Sequence, residues 1–239
     1  RVCYMSDTSH VCSPEPGHAE HAGQQLAGHR GPCSGHCRFP LLEGGFEATL
    51  AKGNAKRKRK KFRQQCRVAE ERGGYELYKP ETASQIEEVV SVFLKQKSQR
   101  LGELGIRDVF SDRHVQSFLT DLARKSLGMK TPLLQLYALK IGDEIAAVFG
   151  AGSNDKHLSG FFSSIDTTKN TVASPGEMLL YLVVQDACEA GFEMMDLGAG
   201  DERYKRSWST EVTQMYDTFL AFNIFGEPIV LLRRIYGAT

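Results

Sequence analysis

Net charge and long apolar runs are both scarce in this chain of 239 residues. Lysine and arginine total 30 against 29 acidic residues, so the net charge is +1 and the chain as a whole has little pull on nucleic acid or a membrane surface. No apolar stretch approaches the ~20 residues of a spanning helix, and the opening residues do not read as a signal peptide. Tryptophan occurs once, at Trp208. There is no Gly-x-Ser-x-Gly elbow, no Walker loop and no Cys-His nucleophile signature. Those absences argue against a covalent enzyme intermediate. Six cysteines in a chain this long do not make a disulfide scaffold, and the expected compartment is the cytoplasm.

Cysteine and histidine are concentrated in residues 1–40, with Cys3, Cys12, Cys33 and Cys37 beside His10, His18, His21, His29 and His36. Gly, Pro and Ser abound there and apolar periodicity is missing. A segment of that kind buries too little surface to offset its ordering entropy. It reads as a disordered or non-native stretch, or as a metal site around Cys33-x-x-His36-Cys37, though the spacings match no zinc pattern. No metal is expected. Residues 41–239 then read as one domain.

Residues 46–72 read as a basic helix centred on Lys56-Arg57-Lys58-Arg59-Lys60-Lys61. Phe46, Leu50, Phe62 and Val68 are sparse anchors. The run is either a solvated face, a nucleic-acid patch, a targeting signal, an acidic-membrane contact or a neighbour of a phosphorylated cofactor.

From Tyr75 onward the pattern becomes regular. Tyr75–Lys79 reads as a strand. Residues 82–100 read as a helix with Ile86, Val89, Val90, Phe93 and Lys97 on one stripe. Asp112 caps a second helix striped by Val115, Phe118, Leu119 and Leu122. Strands at Leu133–Lys140, Ile145–Gly152 and His157–Ile165 form an antiparallel meander. Ser174, a good N-cap, Pro175 at the first helical position and Gly176 open a helix over 175–190 that is apolar on nearly every side. Its N-terminus is suited to an anion such as phosphate. Gly191 stops it, and a strand at Phe192–Leu197 returns parallel to the previous one. A short helix or turn over 202–208 follows, then a closing antiparallel pair of strands, Thr213–Phe222 and Pro228–Ile235.

That order, with Ser174-Pro175-Gly176, Gly191-Phe192, Met195-Asp196-Leu197-Gly198 and Tyr204-Lys205-Arg206-Ser207-Trp208, resembles the GNAT acyltransferase fold. Within it the joints resemble the CelD/BcsL-like branch, related to the FemAB aminoacyltransferases. The resemblance spans residues 46–236 and leaves 1–40 without a counterpart. It implies an α/β fold with a mixed sheet, a buried helix and a splayed parallel strand pair. It further implies that the chain corresponds to the C-terminal half of a longer two-domain protein.

The resemblance also implies acyl transfer from acetyl-CoA or another acyl-CoA to an amine or hydroxyl, on a small molecule or a glycan precursor of polysaccharide or cell-envelope synthesis. Ser163, Ser164 and Ile165 match the strand end that meets the pantetheine arm. Lys169 and Ala173 to Glu177 (Ser174, Pro175 and Gly176 between them) match the pyrophosphate loop. Tyr204 stands where a proton donor for the leaving thiolate is placed, and Lys205 where charge on the donor is stabilised. Asp196 is a base or acceptor-orienting group, or else pairs with Arg203 or Lys205. Arg100, Asp201 and Trp208 are the candidates for holding the acceptor, with helix-end, capping and packing roles as their plainer alternatives. FemAB relatives use an aminoacyl-tRNA donor, which the basic helix tolerates, so tRNA stays open as a partner. A scaffold half without catalysis is the other alternative.

Overall fold

The computed structural model describes residues 2–7, 28–168, 174–198, 200, 202–221 and 227–236. The chain divides into two units, one of Arg1–Arg38, Ala199–Glu202 and Glu211–Thr239, the other of Phe39–Gly198 and Arg203–Thr210.

In the first unit, β1 (Val2–Asp7) pairs antiparallel with β8 (Glu211–Ala221), and β2 (Gly28–Phe39) borders β8 on its other side. The first forty residues thus contribute two strands to a segment without apolar alternation. Residues 8–27 lie outside the described part. The expected strand at Pro228–Ile235 is instead helix α7 (Glu227–Tyr236). A short apolar run is ambiguous between strand and buried helix by periodicity alone. Pro228 near the first helical position, after an acidic Glu227, favours the helix.

The second unit is built on a five-stranded sheet in the order β3 (Tyr75–Tyr78), β4 (Gln135–Ile141), β5 (Glu144–Asn154), β6 (His157–Ile165), β7 (Met194–Asp196). Every neighbouring pair is antiparallel except β6 and β7, which run parallel as expected. Both faces are buried. On β4, Leu136 and Ala138 face one core while Tyr137, Leu139 and Ile141 face the other, the period-two alternation of a covered strand.

One face carries α3 (Ala83–Glu103) and α4 (Arg113–Lys125). Ile86, Val89, Val90 and Phe93 are buried as their spacing predicts, and a capping box at Thr82 and Gln85 starts α3. Asp112 caps α4 through the His114 N–H. Phe118 departs from its stripe: it is 61 % exposed, and Ala123 is buried in its stead.

The other face carries α5 (Pro175–Glu189), buried along Met178, Leu179, Tyr181, Val183, Val184 and Ala187. Packed on it are α1 (Gly45–Ala51), α2 (Ala55–Glu70) and α6 (Arg203–Trp208). Phe62 of α2 stacks on Tyr181 at 4.0 Å, with Phe46 and Trp208 edge-on to the same ring. The single helix expected over 46–72 is broken into α1 and α2 by a turn at Lys52–Gly53, after which Asn54 caps α2 through the Arg57 N–H. Pro40–Leu42 covers the outer edge of β7, with Leu42 donating to the Glu193 carbonyl at 2.7 Å and Met195 to the Pro40 carbonyl at 3.2 Å.

Candidate functional site

The site begins where a strand loses its partner. β7 pairs with β6 only over His157–Ser159, while β6 runs on to Ile165. A bulge helps to turn the strand: β5 meets β6 through Gly150↔Phe162 and then Ala151↔Gly160, so Phe161 is the extra residue. Gly150 makes room for this arrangement, since a Cβ there would meet the Phe162 ring at 2.3 Å. Beyond Ser159, no strand among the described residues lies beside that edge of β6.

A cleft of about 530 Å³ lies along that edge. Val148, Phe149, Leu179, Leu180 and Leu197 give it apolar walls. Of the residues singled out from the sequence, Ser163, Ser164, Ile165, Ser174, Pro175, Gly176, Glu177, Arg100 and Tyr204 all line it. Lys169, Ala173 and Asp201 lie outside the described residues.

Several of these residues also make contacts within the protein. The Ser163 carbonyl accepts from Lys97 Nζ at 3.2 Å, and Ser164 Oγ donates to Gln96 Oε1 at 2.7 Å. Both are therefore engaged by α3. Ser174 holds the N-cap position of α5, but its backbone is left-handed (φ 46°) and its side chain makes no cap bond. Its carbonyl accepts instead, from the N–H groups of Glu177 and Met178 and from Gln65 Nε2.

A Cβ on Gly176 would meet Ile165 Cγ2 at 2.8 Å, so a side chain there would crowd that partly exposed residue at the cleft. Pro175 has no N–H, and those of Glu177 and Met178 are engaged. The first turn of α5 therefore has Gly176 as its open donor, beside the carboxylate of Glu177, which pairs with Lys61. That is a sparse cradle for a pyrophosphate. The apolar walls and the free β6 edge suit an extended acyl or pantetheine chain far better.

Of the expected catalytic trio, Tyr204 lines the cleft while Asp196 and Lys205 do not. Lys205 is 5 % exposed, with Nζ 3.5 Å from the Gly198 carbonyl and 5.9 Å from the Tyr204 ring centre. Asp196 accepts from the Gly198 N–H at 2.7 Å. Burial pushes the Asp196 carboxyl up, while that N–H and the charge of Lys205 draw it back. Asp196 and Lys205 brace the Gly198 turn behind Tyr204. Trp208 is 7 % exposed and belongs to the core.

Sequence reasoning missed Gln96, Asp166 and Thr167 as cleft residues, and read Lys97 only as part of a stripe. Lys97 is the informative omission. It ends an apolar stripe, so its cation reaches the cleft, and burial lowers its amine below the usual lysine range. Also missed was a second pocket, of about 320 Å³, on the other side of Glu177 and Tyr204, lined by Arg57, Lys58, Lys61 and Arg203. Among the described residues no cluster of His, Cys, Asp and Glu is placed to hold a metal, and no helix is long and apolar enough to cross a membrane. The side chains of Cys33 and His36 lie outside the described ones.

Solved structures share this architecture. A conserved protein of unknown function from Bacteroides thetaiotaomicron superposes with a TM-score of 0.58 at 14% identity, over 83% of this chain and 64% of that one. FemX superposes at 0.56 and 11% identity, over 82% and 63%. The C-terminal domain of a provisionally named lysylphosphatidylglycerol synthetase from Agrobacterium fabrum does so at 0.50 and 13% identity, over 88% and 66%. This chain thus spans a little under two thirds of each of those proteins. No curated protein sequence matches it significantly. The family described as an acetyltransferase (GNAT) domain matches residues 56–206, the sheet, the cleft and all of α5 included, and the chain belongs to that family.

Proposed function

We propose that this chain is an acyltransferase of the CelD/BcsL-like branch, moving an acyl group from acetyl-CoA or another acyl-CoA to an amine or hydroxyl. The acceptor is a small molecule or a glycan precursor, and the reaction is cytoplasmic. The observation that carries this reading is the free edge of β6 beyond Ser159 beside an apolar cleft that ends at Tyr204. An acyl-CoA supplies the activated carbonyl. Leu179, Leu180 and Leu197 exclude water from its acyl chain.

The acceptor enters from the α3 side, where Lys97 and Arg100 line the cleft. Its nitrogen or oxygen attacks the thioester carbonyl carbon and gives up its proton to water. The carbon–sulfur bond breaks, and the Tyr204 hydroxyl protonates the departing sulfur. Asp196 and Lys205 hold the Gly198 turn that fixes α6 and hence Tyr204.

A second reading keeps the cleft and replaces the donor by an aminoacyl-tRNA. The scarcity of open N–H groups at the start of α5 and the carboxylate of Glu177 favour it, because both disfavour a pyrophosphate there. The test offers the folded chain each donor with a panel of amines and hydroxyl compounds. Acceptor-dependent release of free thiol supports the first reading. Acceptor-dependent deacylation of charged tRNA alone supports the second. Neither, from a folded protein, overturns the transferase reading and leaves a scaffold.

A further inference from the structure

The register of β6 fixes which backbone groups face its free edge. The Asp166 N–H donates to the Ala146 carbonyl at 2.9 Å, so those residues form a hydrogen-bonded pair. Pairs along an antiparallel ladder alternate between hydrogen-bonded and not. Counting back through Ala147↔Ile165 and Val148↔Ser164, the pair Phe149↔Ser163 carries no ladder bond. The N–H and carbonyl of Ser163 therefore turn away from β5, toward the edge along which the cleft runs.

That carbonyl is already engaged. Lys97 Nζ donates to it at 3.2 Å. The packing of α3 holds the lysine in reach. Phe93, one turn earlier on the same face of the helix, packs against Phe162 with ring centres 4.3 Å apart. Gln96 donates to the Ile145 carbonyl at 2.9 Å and accepts from the Ser164 hydroxyl at 2.7 Å, which ties α3 to both β5 and β6. Lys97 is half-buried, and burial lowers its amine although Asp108 opposes the shift. No carboxylate among the described residues forms an ion pair with it. Arg100, one turn further on, pairs with Glu103.

A cation at this point changes what the edge binds. A lysine ammonium donates hydrogen bonds and accepts none. With Lys97 in place, the acceptor at Ser163 is occupied, and the ammonium and the Ser163 N–H are both donors. The cation repels the positive end of an incoming amide N–H and attracts the oxygen of an ester or carboxyl group. We propose that Lys97 is a specificity-determining residue of the cleft, selecting a donor molecule that presents an oxygen beside Ser163 over one that presents an amide N–H there. This rests on the cleft being the donor site, as proposed above, and not on which donor is used. An amide-bearing arm such as that of an acyl-CoA then binds against Lys97 rather than with its help.

The experiment measures, by calorimetry on the full chain, the affinity for acetyl-CoA and for its analogue in which ester oxygens replace the amide nitrogens of the arm. It compares wild type, Lys97→Met, Lys97→Arg and Lys95→Met, Lys95 being an exposed residue of the same helix. Lys95→Met removes the same charge, so a general loss of attraction for an anionic ligand is accounted for. In Lys97→Met the ratio of the two affinities is expected to shift about tenfold toward the amide. In Lys97→Arg and Lys95→Met it stays near the wild-type value.

An unchanged ratio in Lys97→Met, or a shift toward the ester, overturns the proposal and leaves the acyl-CoA reading standing wherever wild type binds acetyl-CoA. An equal shift in Lys95→Met overturns it too, by assigning the effect to charge at large. Acetyl-CoA binding by Lys97→Met and not by wild type upholds the proposal and overturns the acyl-CoA reading. Binding of neither probe by any of these proteins, all folded by circular dichroism, overturns both.

Discussion

Tyr204 is the side chain on which the proposed chemistry turns, since it lines the cleft at the start of α6. General acid catalysis contributes about 100-fold or more. Tyr204→Phe is therefore expected to lower kcat about 100-fold, with KM and melting temperature nearly unchanged; an equal loss in KM would point to binding instead. Asp196 gives a prediction in pH. Burial raises its carboxyl, so the folded chain holds that proton more readily than the unfolded one. Stability then falls as pH climbs from the unfolded value of about 3.9 through the raised folded value, and is flat above it. Asp196→Asn keeps an acceptor for the Gly198 N–H and does not titrate. The melting temperature of the variant relative to wild type should rise across that window, and a pH-independent difference would contradict the account.

The individual elements differ in how far their sequences announce them. α3 and α5 were legible because their spacing and starts agree: a capping box before one, Pro175 at the first turn of the other. The break between α1 and α2 was signalled by Gly53-Asn54 and overlooked beneath the run of basic residues. Asn54→Ala should cost about 1 kcal/mol of stability through loss of the cap, measurable by urea denaturation. It should also loosen the pocket that Asn54 lines. α7 was misread because an apolar run of its length suits either a strand or a helix. The bulge at Phe161 left no pattern to read, since a single extra residue alters pairing without altering composition.

Across the whole molecule, the order of elements from Tyr75 to Trp208 was enough to expect a GNAT-like sheet with one parallel pair, and the structure has it. Which side chains reach the cleft was only partly legible. Ser163, Gly176 and Tyr204 came from motif position, whereas Lys97 in the cleft and the α2 residues that line the second pocket depend on how helices distant in sequence rotate against the sheet. The two halves of the basic run are identical in composition and differ only in what lies opposite them. The central claim is that the space along the free edge of β6 receives an acyl donor. Calorimetric titration of the folded chain with acetyl-CoA, longer acyl-CoAs and an aminoacyl-tRNA tests it most directly, alongside Gly176→Glu, whose side chain would collide with Ile165 and fill the cleft. The account predicts saturable binding of one donor class that disappears in the variant while its circular dichroism is retained. Binding of no donor, or equal binding by the folded variant, would contradict it.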